Sequence, residues 1–328
     1  MNLGAVNFEP APLLSLPEAP APAGAQPAWF YGADGVRLRA VLFPATGSAR
    51  GSVVVSPGRT EPLEKYFEVV EELRGRGFAV LAHDWRGQGA SQRLLDDPEK
   101  GHARGWRPYI SDFDILLSSY EARLPKPWIA LGHSLGGGLT TLALEEGEPR
   151  FAGAVLSAPM LGLRLGGRPA ALVRIMSWFM TFIGRANEYI YPLPKRLAEI
   201  ANGGALLTHD QARWDRYAAQ LEAAPELKLG GVTWGWLAFA MAMTFRIEKL
   251  KGIERIQIPV TTVAAQRDYL CSNRPQRVLV ARLKHGRYVE ARGAFHEILM
   301  EQDQIRAVFW NAFDDLAAEV APARVAAA

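Results

Sequence analysis

A serine flanked by glycines follows an apolar run in this chain, and this feature most narrows what the chain can fold into. Residues 128–131 resemble a short buried strand, residues 132–136 read G-H-S-L-G, and residues 139–144 resemble a helix. A strand, G-x-S-x-G and a helix in this order are typical of a nucleophile elbow, a sharp turn that exposes the serine oxygen at the carboxyl edge of a sheet. We therefore predict that Ser134 is a nucleophile; the alternative is an ordinary turn serine.

Apolar runs with strand character alternate with helical patterns along most of the chain. Strands are predicted at residues 28–31, 36–43, 52–56, 78–82, 128–131, 154–156, 258–264 and 288–291. This alternation is typical of an α/β fold in which helices cover both faces of a mostly parallel sheet. It stops at Pro159, and residues 160–246 show helical patterns without a convincing strand, so we predict an inserted helical cap.

The predicted organisation has five parts. They are an N-terminal arm at 1–27, a first core part at 28–159, a helical cap (lid) at 160–246, a second core part at 247–320 and a tail at 321–328. The arm is rich in proline and alanine and has neither a basic segment nor a long apolar stretch. We therefore expect an extended or disordered arm and no secretory signal.

Charge and cysteine content narrow the function classes. The chain of 328 residues has a formal net charge of +3, and its basic residues are scattered, so no nucleic-acid partner is expected. The single cysteine, Cys271, excludes an intrachain disulfide and fits a reducing compartment.

No run reaches the ~18 apolar residues of a membrane span. We expect a cytoplasmic protein, with peripheral membrane contact an option, and the oligomeric state stays open.

A serine nucleophile needs a base, and the base needs an acid to orient it. His296 follows the last predicted strand, where a loop from the carboxyl edge of the sheet reaches the elbow, so we predict it as the general base. Asp268 follows the predicted strand 258–264 and lies between serine and histidine in chain order, as this architecture requires. The alternatives are a structural histidine and a turn aspartate, and Glu297 is too close in sequence to His296 to orient it.

An oxyanion hole needs two backbone N–H donors. One is expected from Leu135, the residue after the nucleophile. The other is expected from Arg59, in the loop that follows the strand at 52–56; an ordinary strand-to-helix loop is the alternative. No cluster of metal ligands is visible, so neither a metal nor a cofactor is expected.

Two segments of the predicted cap are strongly apolar, at residues 170–183 and 232–245. They are suited to lining an acyl channel or touching a membrane, and the alternative is that they pack on each other and on the sheet. The residues proposed to bind substrate are Trp234, Trp236, Phe239 and Met243.

Together, these motifs resemble the serine α/β-hydrolases of the monoglyceride lipase and bacterial lysophospholipase branch. The resemblance covers about residues 29–316 and rests on the segments at 57–61 with 65–66, 83–91, 132–137, 157–159, 266–268 and 295–299. The branch usually has His-Gly-x-Gly-Glu at the oxyanion loop, whereas this chain has Pro57-Gly58-Arg59-Thr60-Glu61. By the family pattern, Glu61 and the loop of Asp84 and Arg86 are structural supports.

The resemblance implies an α/β-hydrolase fold and hydrolysis of the acyl ester of lysophospholipids or monoacylglycerols through an acyl-enzyme. A small-molecule esterase or an acyltransferase with the same triad is an alternative. A further alternative is a non-catalytic binding protein with this fold, which the intact Ser134, Asp268 and His296 disfavour.

Overall fold

The sheet carries the fold and presents the candidate site at one edge. The structure, a computed structural model, describes residues 8–190, 206–249 and 251–323. Within them the strands run in the order β1-β2-β3-β5-β4-β6-β7-β8-β9, with antiparallel pairing from β1 to β5 and parallel pairing from β5 to β9. Their bounds are β1 Glu9–Pro10, β2 Gln26–Tyr31, β3 Arg37–Phe43, β4 Gly51–Ser56, β5 Phe78–His83, β6 Trp128–His133, β7 Phe151–Ser157, β8 Val260–Ala265 and β9 Gly286–Ala291.

Helices cover both faces of this sheet. The α-helices of the described residues are α1 Phe67–Gly75, α2 Arg107–Tyr120, α3 Leu135–Glu146, α4 Ala170–Phe182, α5 Gln211–Ala223, α6 Trp234–Glu248, α7 Asn273–Arg282 and α8 Asp303–Val320. Along β4, Val53 and Val55 pack with α1 and α8, whereas Val54 packs with α2 and α3 on the opposite face. All six residues of β4 are buried, as expected of a central parallel strand.

The described part of the chain between β7 and β8 contains helices α4, α5 and α6 and no strand. Asp210 accepts a hydrogen bond from the N–H of Arg213, and Thr233 from the N–H of Trp236, so side-chain caps fix where α5 and α6 begin. The mostly parallel sheet, its flanking helices and the inserted helices agree with the sequence prediction. The exact domain limits at 28, 160, 247 and 321 stay predictions.

Of the two alternatives expected for the N-terminal arm, extended or disordered, residues 8–27 show the extended one, packed against the rest of the fold. β1 pairs with β2, the ring of Phe8 lies 4.7 Å from that of Tyr120, and the carbonyl of Pro12 accepts a hydrogen bond of 3.0 Å from Arg39. Proline lowers the entropy lost when a chain is fixed in an extended shape, so apolar contacts suffice to order such a segment. Residues 1–7 and 324–328 lie outside the described residues.

Candidate active site

The candidate nucleophile sits in a strained turn between β6 and α3. Ser134 has φ +48° and ψ −113°, a backbone region that residues other than glycine rarely adopt. The turn is closely packed, since a Cβ atom at Gly132 would lie 2.8 Å from the backbone of Gly137 and one at Gly136 would overlap the carbonyl of Ser56. Glycines at 132 and 136 therefore let the turn close and present Ser134 at the carboxyl end of β6.

Three side chains from three strand ends form one hydrogen-bonded chain. The Ser134 hydroxyl lies 2.9 Å from Nε2 of His296, and Nδ1 of His296 lies 2.8 Å from Oδ2 of Asp268. Ser134 follows β6, Asp268 follows β8 and His296 follows β9, so parallel pairing brings the three loops to the same edge. With Nδ1–H donating to Asp268, Nε2 is left to accept the serine proton.

The acid of this chain is held rigidly. The backbone N–H groups of Leu270 and Cys271 each donate to Oδ1 of Asp268 at 2.8 Å, and its side chain is buried. Burial opposes the charged carboxylate, but the adjacent His296 outweighs it through charge and hydrogen bonding and keeps the pKa of Asp268 below its ordinary value. A fixed anion is thus available to orient the imidazole.

The two backbone N–H groups predicted to form the oxyanion hole have no acceptor among the described residues. They belong to Leu135, the first residue of α3, and to Arg59. In the Arg59 loop, Thr60 occupies the second glycine position of the family pattern, and it adopts a positive φ of 68°. Its N–H donates to Gln88 at 3.0 Å and its carbonyl accepts from Tyr217 at 2.8 Å, so the loop keeps a glycine-like turn without glycine.

A buried ionic cluster lies behind the three-residue chain, and the sequence analysis missed it as a unit. Nζ of Lys65 lies 2.7 Å from Glu61 and 2.6 Å from Glu297. Nδ1 of His133 lies 3.1 Å from the Glu61 carboxylate, and its Nε2 lies 3.3 Å from the backbone carbonyl of His296. The cluster therefore links the residue before the nucleophile to the backbone of the predicted base.

The opposite charges of this cluster stabilise the ionised forms of His133 and Glu61. Burial disfavours a protonated His133, but the carboxylates of Glu61 and Glu297 outweigh it and raise the pKa of His133 to about 9. Burial likewise disfavours a charged Glu61, and His133 and Lys65 overcome this and hold the pKa of Glu61 well below its ordinary value. His133 is thus a cation at neutral pH whose Nε2–H donates to the His296 carbonyl.

The segment that carries the predicted base is also bonded to the cap. The N–H of Glu297 donates to the carbonyl of Leu207 at 2.9 Å. Nδ1 of His209 lies 2.8 Å from Glu301, and Arg213 of α5 donates to the Glu301 carbonyl at 2.9 Å. This part of the cap and the loop after His296 therefore form one hydrogen-bonded layer.

The four apolar cap residues of the prediction lie on α6. Trp236, Phe239 and Met243 are buried in the core on the α3 side of the sheet, and Trp234 packs against it while partly exposed. The ring of Phe239 stacks on Tyr109 with centroids 4.9 Å apart. These contacts agree with packing on the sheet domain; a role in substrate binding stays a prediction.

Two groups of side chains bring metal-ligand atoms within 4.8 Å of one another: Asp268, Cys271 and His296, and Glu61, His133 and Glu297. In the second group the Lys65 ammonium already bridges both carboxylates, which is the position a cation would take. In the first group, the Asp268 oxygens and both His296 ring nitrogens are engaged in the hydrogen-bonded chain. Both groups are therefore explained by their own hydrogen bonds and ion pairs.

Helix α4 presents a broad apolar face to solvent. Its exposed large side chains and that of the next residue are Leu172, Ile175, Met176, Trp178, Phe179, Phe182 and Ile183. Residues 160–187 contain four arginines and no acidic residue. No helix in the described parts of the chain combines the length and apolar character needed to cross a bilayer.

Comparison with known proteins agrees with this geometry. The model of the family described as serine aminopeptidase, S33, matches residues 47–303. Lysophospholipase L2 of Escherichia coli strain K12 is 32% identical over 299 residues, which cover 87% of this chain and 85% of that protein. Human monoglyceride lipase is 31% identical over 137 residues, covering 39% and 41%.

Solved structures show the same fold. A soluble variant of monoglyceride lipase from Saccharomyces cerevisiae aligns with a TM-score of 0.68 at 19% identity, covering 89% of this chain and 94% of that one. The sheet order, the elbow and the inserted helices define an α/β-hydrolase, as predicted. The chain belongs to the serine aminopeptidase S33 family.

Proposed function

We propose that this protein hydrolyses the carboxylic ester of lysophospholipids or monoacylglycerols through an acyl-enzyme. The observation that carries the proposal is the hydrogen-bonded chain Ser134–His296–Asp268 at a strained elbow. The names of the relatives, lysophospholipase L2 and monoglyceride lipase, support the choice of lipid esters as substrates.

In the proposed reaction, Oγ of Ser134 attacks the acyl carbonyl carbon while Nε2 of His296 takes its proton. The N–H groups of Leu135 and Arg59 donate to the oxygen that becomes negative. The tetrahedral intermediate collapses, and the departing alcohol takes the proton from His296. Water then attacks the acyl-enzyme with the same base, the fatty acid leaves, and Ser134 regains its proton. Asp268 keeps Nδ1–H in place and stabilises the imidazolium in each half.

We also propose that the face of α4 rests on the membrane surface that holds the substrate. Exposed aromatic and aliphatic side chains favour burial among acyl chains, and the four arginines of residues 160–187 favour anionic headgroups. A cytoplasmic location is part of this proposal and rests on the single, buried Cys271.

A substrate panel tests the function. Purified protein is assayed with p-nitrophenyl butyrate, 1-lauroylglycerol and a lauroyl lysophospholipid, and a fluorophosphonate probe is used to label the nucleophile. We expect labelling at Ser134 and release of fatty acid from at least one lipid. Turnover of p-nitrophenyl butyrate alone would favour a small-molecule esterase, net acyl transfer to an added alcohol would favour an acyltransferase, and absence of labelling would favour a binding protein.

Vesicle binding tests the α4 proposal separately. We expect Trp178→Ser with Phe182→Ser to weaken sedimentation with phosphatidylglycerol vesicles and to leave p-nitrophenyl butyrate hydrolysis unchanged. Val278→Ser, at another exposed apolar site, on α7, is the control and should not alter sedimentation. Equal sedimentation of all three proteins would contradict the proposal.

A further inference from the structure

Arg59 is half-buried and has no acidic partner within the described residues. Arg39 is paired with Glu64 and Asp84, and Arg86 with Asp34 and Asp112. Arg59 forms no such ion pair, and its Nε atom is buried without any acceptor. Withdrawing a cation from water without an acidic partner is unfavourable, and an anion bound from outside the chain would offset this cost.

The guanidinium of Arg59 is held in place without being neutralised. Nη2 donates to the carbonyl of Gly230, and the guanidinium carbon lies 5.2 Å from the centre of the Trp236 ring. A Cβ atom at Gly101 would lie 2.5 Å from Nη2, so the absence of a side chain there makes room for the cation. These contacts fix its position and leave Nη1 without an acceptor among the described residues.

Arg93, a second arginine between the core and the cap, is the comparison for Arg59. Its guanidinium also lacks an acidic partner, but it donates to the backbone carbonyls of Gly89, Pro98, Glu226 and Lys228. The backbone acceptors explain Arg93 as a structural tie. Arg59 has one such acceptor, and burial lowers the pKa of its guanidinium only to about 10, so it stays charged at neutral pH.

The position of Arg59 links this charge to the reacting ester. Its backbone N–H is one of the two donors proposed for the oxyanion, so its side chain starts at the reaction centre and runs toward α6. In a lysophospholipid the ester and the phosphate are separated only by the glycerol backbone. A guanidinium donates in a planar fork that suits phosphate oxygens.

We infer that the Arg59 side chain is a specificity-determining subsite for the phosphate of the substrate headgroup, and that this enzyme prefers phosphate-bearing lysolipids to neutral monoacylglycerols. The inference rests on the proposed ester hydrolysis and adds to it the choice between the two lipid classes.

Two substrates that differ only by a phosphate test the subsite: 1-lauroylglycerol 3-phosphate and 1-lauroylglycerol, each below its critical micelle concentration. We expect Arg59→Gln to lower the ratio of their kcat/KM values by about 10- to 100-fold, the range for loss of a charged hydrogen bond. The ratio cancels any loss that the substitution causes in the shared chemistry. Arg59→Lys should retain part of the ratio, and Arg282→Gln, at an exposed site on α7, should leave it unchanged.

A competition assay on the wild-type protein keeps the test independent of how the variants fold. Glycerol 3-phosphate, glycerol and inorganic phosphate are added to p-nitrophenyl butyrate assays at matched ionic strength. We expect glycerol 3-phosphate to inhibit most strongly. Equal inhibition by inorganic phosphate would mean a free-phosphate site and would overturn the headgroup assignment, as would an unchanged ratio in Arg59→Gln. Failure to hydrolyse either lauroyl ester would instead refute the proposed function.

Discussion

Nε2 of His133 lies 3.3 Å from the backbone carbonyl oxygen of His296, so the residue before the nucleophile bonds to the backbone of the base. The ring of the same histidine forms a second contact with the elbow, since its Nε2 lies 2.9 Å from the Ser134 hydroxyl. Two neighbouring residues of the elbow thus hold the same histidine, one through its ring and the other through its main chain. The elbow that carries the nucleophile therefore also holds the backbone of the base.

Ser134→Ala should abolish ester hydrolysis while the protein stays folded. The substitution removes one hydroxyl from an already strained turn and leaves the backbone requirement as it was. We expect a loss of about 10⁴-fold or more in kcat, measured with p-nitrophenyl butyrate, and an unchanged melting temperature. Ser48→Ala, in an exposed loop, is the control. Activity retained by a folded Ser134→Ala protein would mean that the nucleophile lies elsewhere.

Asp268→Asn should reduce turnover by about 10³–10⁴-fold with little change in structure. An amide at this position donates to Nδ1 and thereby favours the tautomer whose Nε2 carries the proton, so His296 cannot accept from Ser134. Asp315→Asn, at an exposed position on α8, removes a carboxylate of the same kind and should have no effect. A rate near that of the wild-type protein would move the orienting acid to another residue, with Glu297 and Asp303 the next candidates.

The His133 cluster should make folding stability fall at alkaline pH. Because the pKa of His133 is about 9 in the folded protein and 6.5 ordinarily, the folded state binds a proton more tightly. The resulting stabilisation is complete below about pH 6.5 and is lost as pH rises through about 9. It is on the order of 3 kcal/mol for a shift of this size.

Urea unfolding at pH 7 and pH 10 measures this effect. Wild-type protein and His133→Gln are compared at both pH values, so that the titration of lysines and tyrosines common to both cancels. We expect the wild-type protein to lose more free energy of unfolding than the variant. Equal losses in the two proteins would show that His133 is neutral in the folded state.

Cys271 should react slowly in the native protein, and its modification should stop turnover. The thiol is buried, and burial together with the charge of Asp268 raises its pKa well above the ordinary value. Its sulfur belongs to the group formed with Asp268 and His296, so a bulky maleimide adduct would displace the triad. Thiol titration without denaturant and residual activity are measured together, with Cys271→Ala expected to resist inactivation. A thiol that reacts freely without loss of rate would contradict this.

Phe239→Ala tests the predicted acyl-binding face of α6. Loss of a buried, stacked ring should lower the free energy of unfolding by about 3–5 kcal/mol. If the face also lines the acyl path, palmitate esters should lose about 1–3 kcal/mol more transition-state stabilisation than butyrate esters. Leu279→Ala, in the core but on α7, should destabilise without changing chain-length selectivity. Equal losses on both esters would leave Phe239 as core packing alone.

The parts of the site that were predictable from sequence are those encoded locally. Ser134 directly follows β6, whereas Asp268 and His296 come three and five residues after β8 and β9. Because parallel strands end at one edge of the sheet, these three local patterns were enough to bring the residues together. The shape of the loop at Thr60 was not predictable, because its positive φ is supported by Gln88 and Tyr217, which are distant in sequence.

The ionic cluster was beyond sequence reasoning for a related reason. Glu61, Lys65, His133 and Glu297 come from three separate segments, and no periodicity links them. Glu61 was singled out only through the family pattern. Whether the N-terminal arm is ordered could not be predicted, because composition reflects the conformational entropy of a free chain and not the groups against which that chain packs. Here these groups are the ring of Tyr120 and the guanidinium of Arg39.

The hydrogen-bonded layer between residues 207–213 and the segment after His296 bears on how this enzyme can be re-engineered. Since Leu207, His209 and Arg213 bond to Glu297 and Glu301, that stretch of the cap and the base-bearing loop are not separable modules. A chimaera that takes its cap from a relative must therefore exchange residues 207–213 and the segment after His296 together. If only the cap is exchanged, these hydrogen bonds are lost and His296 is displaced.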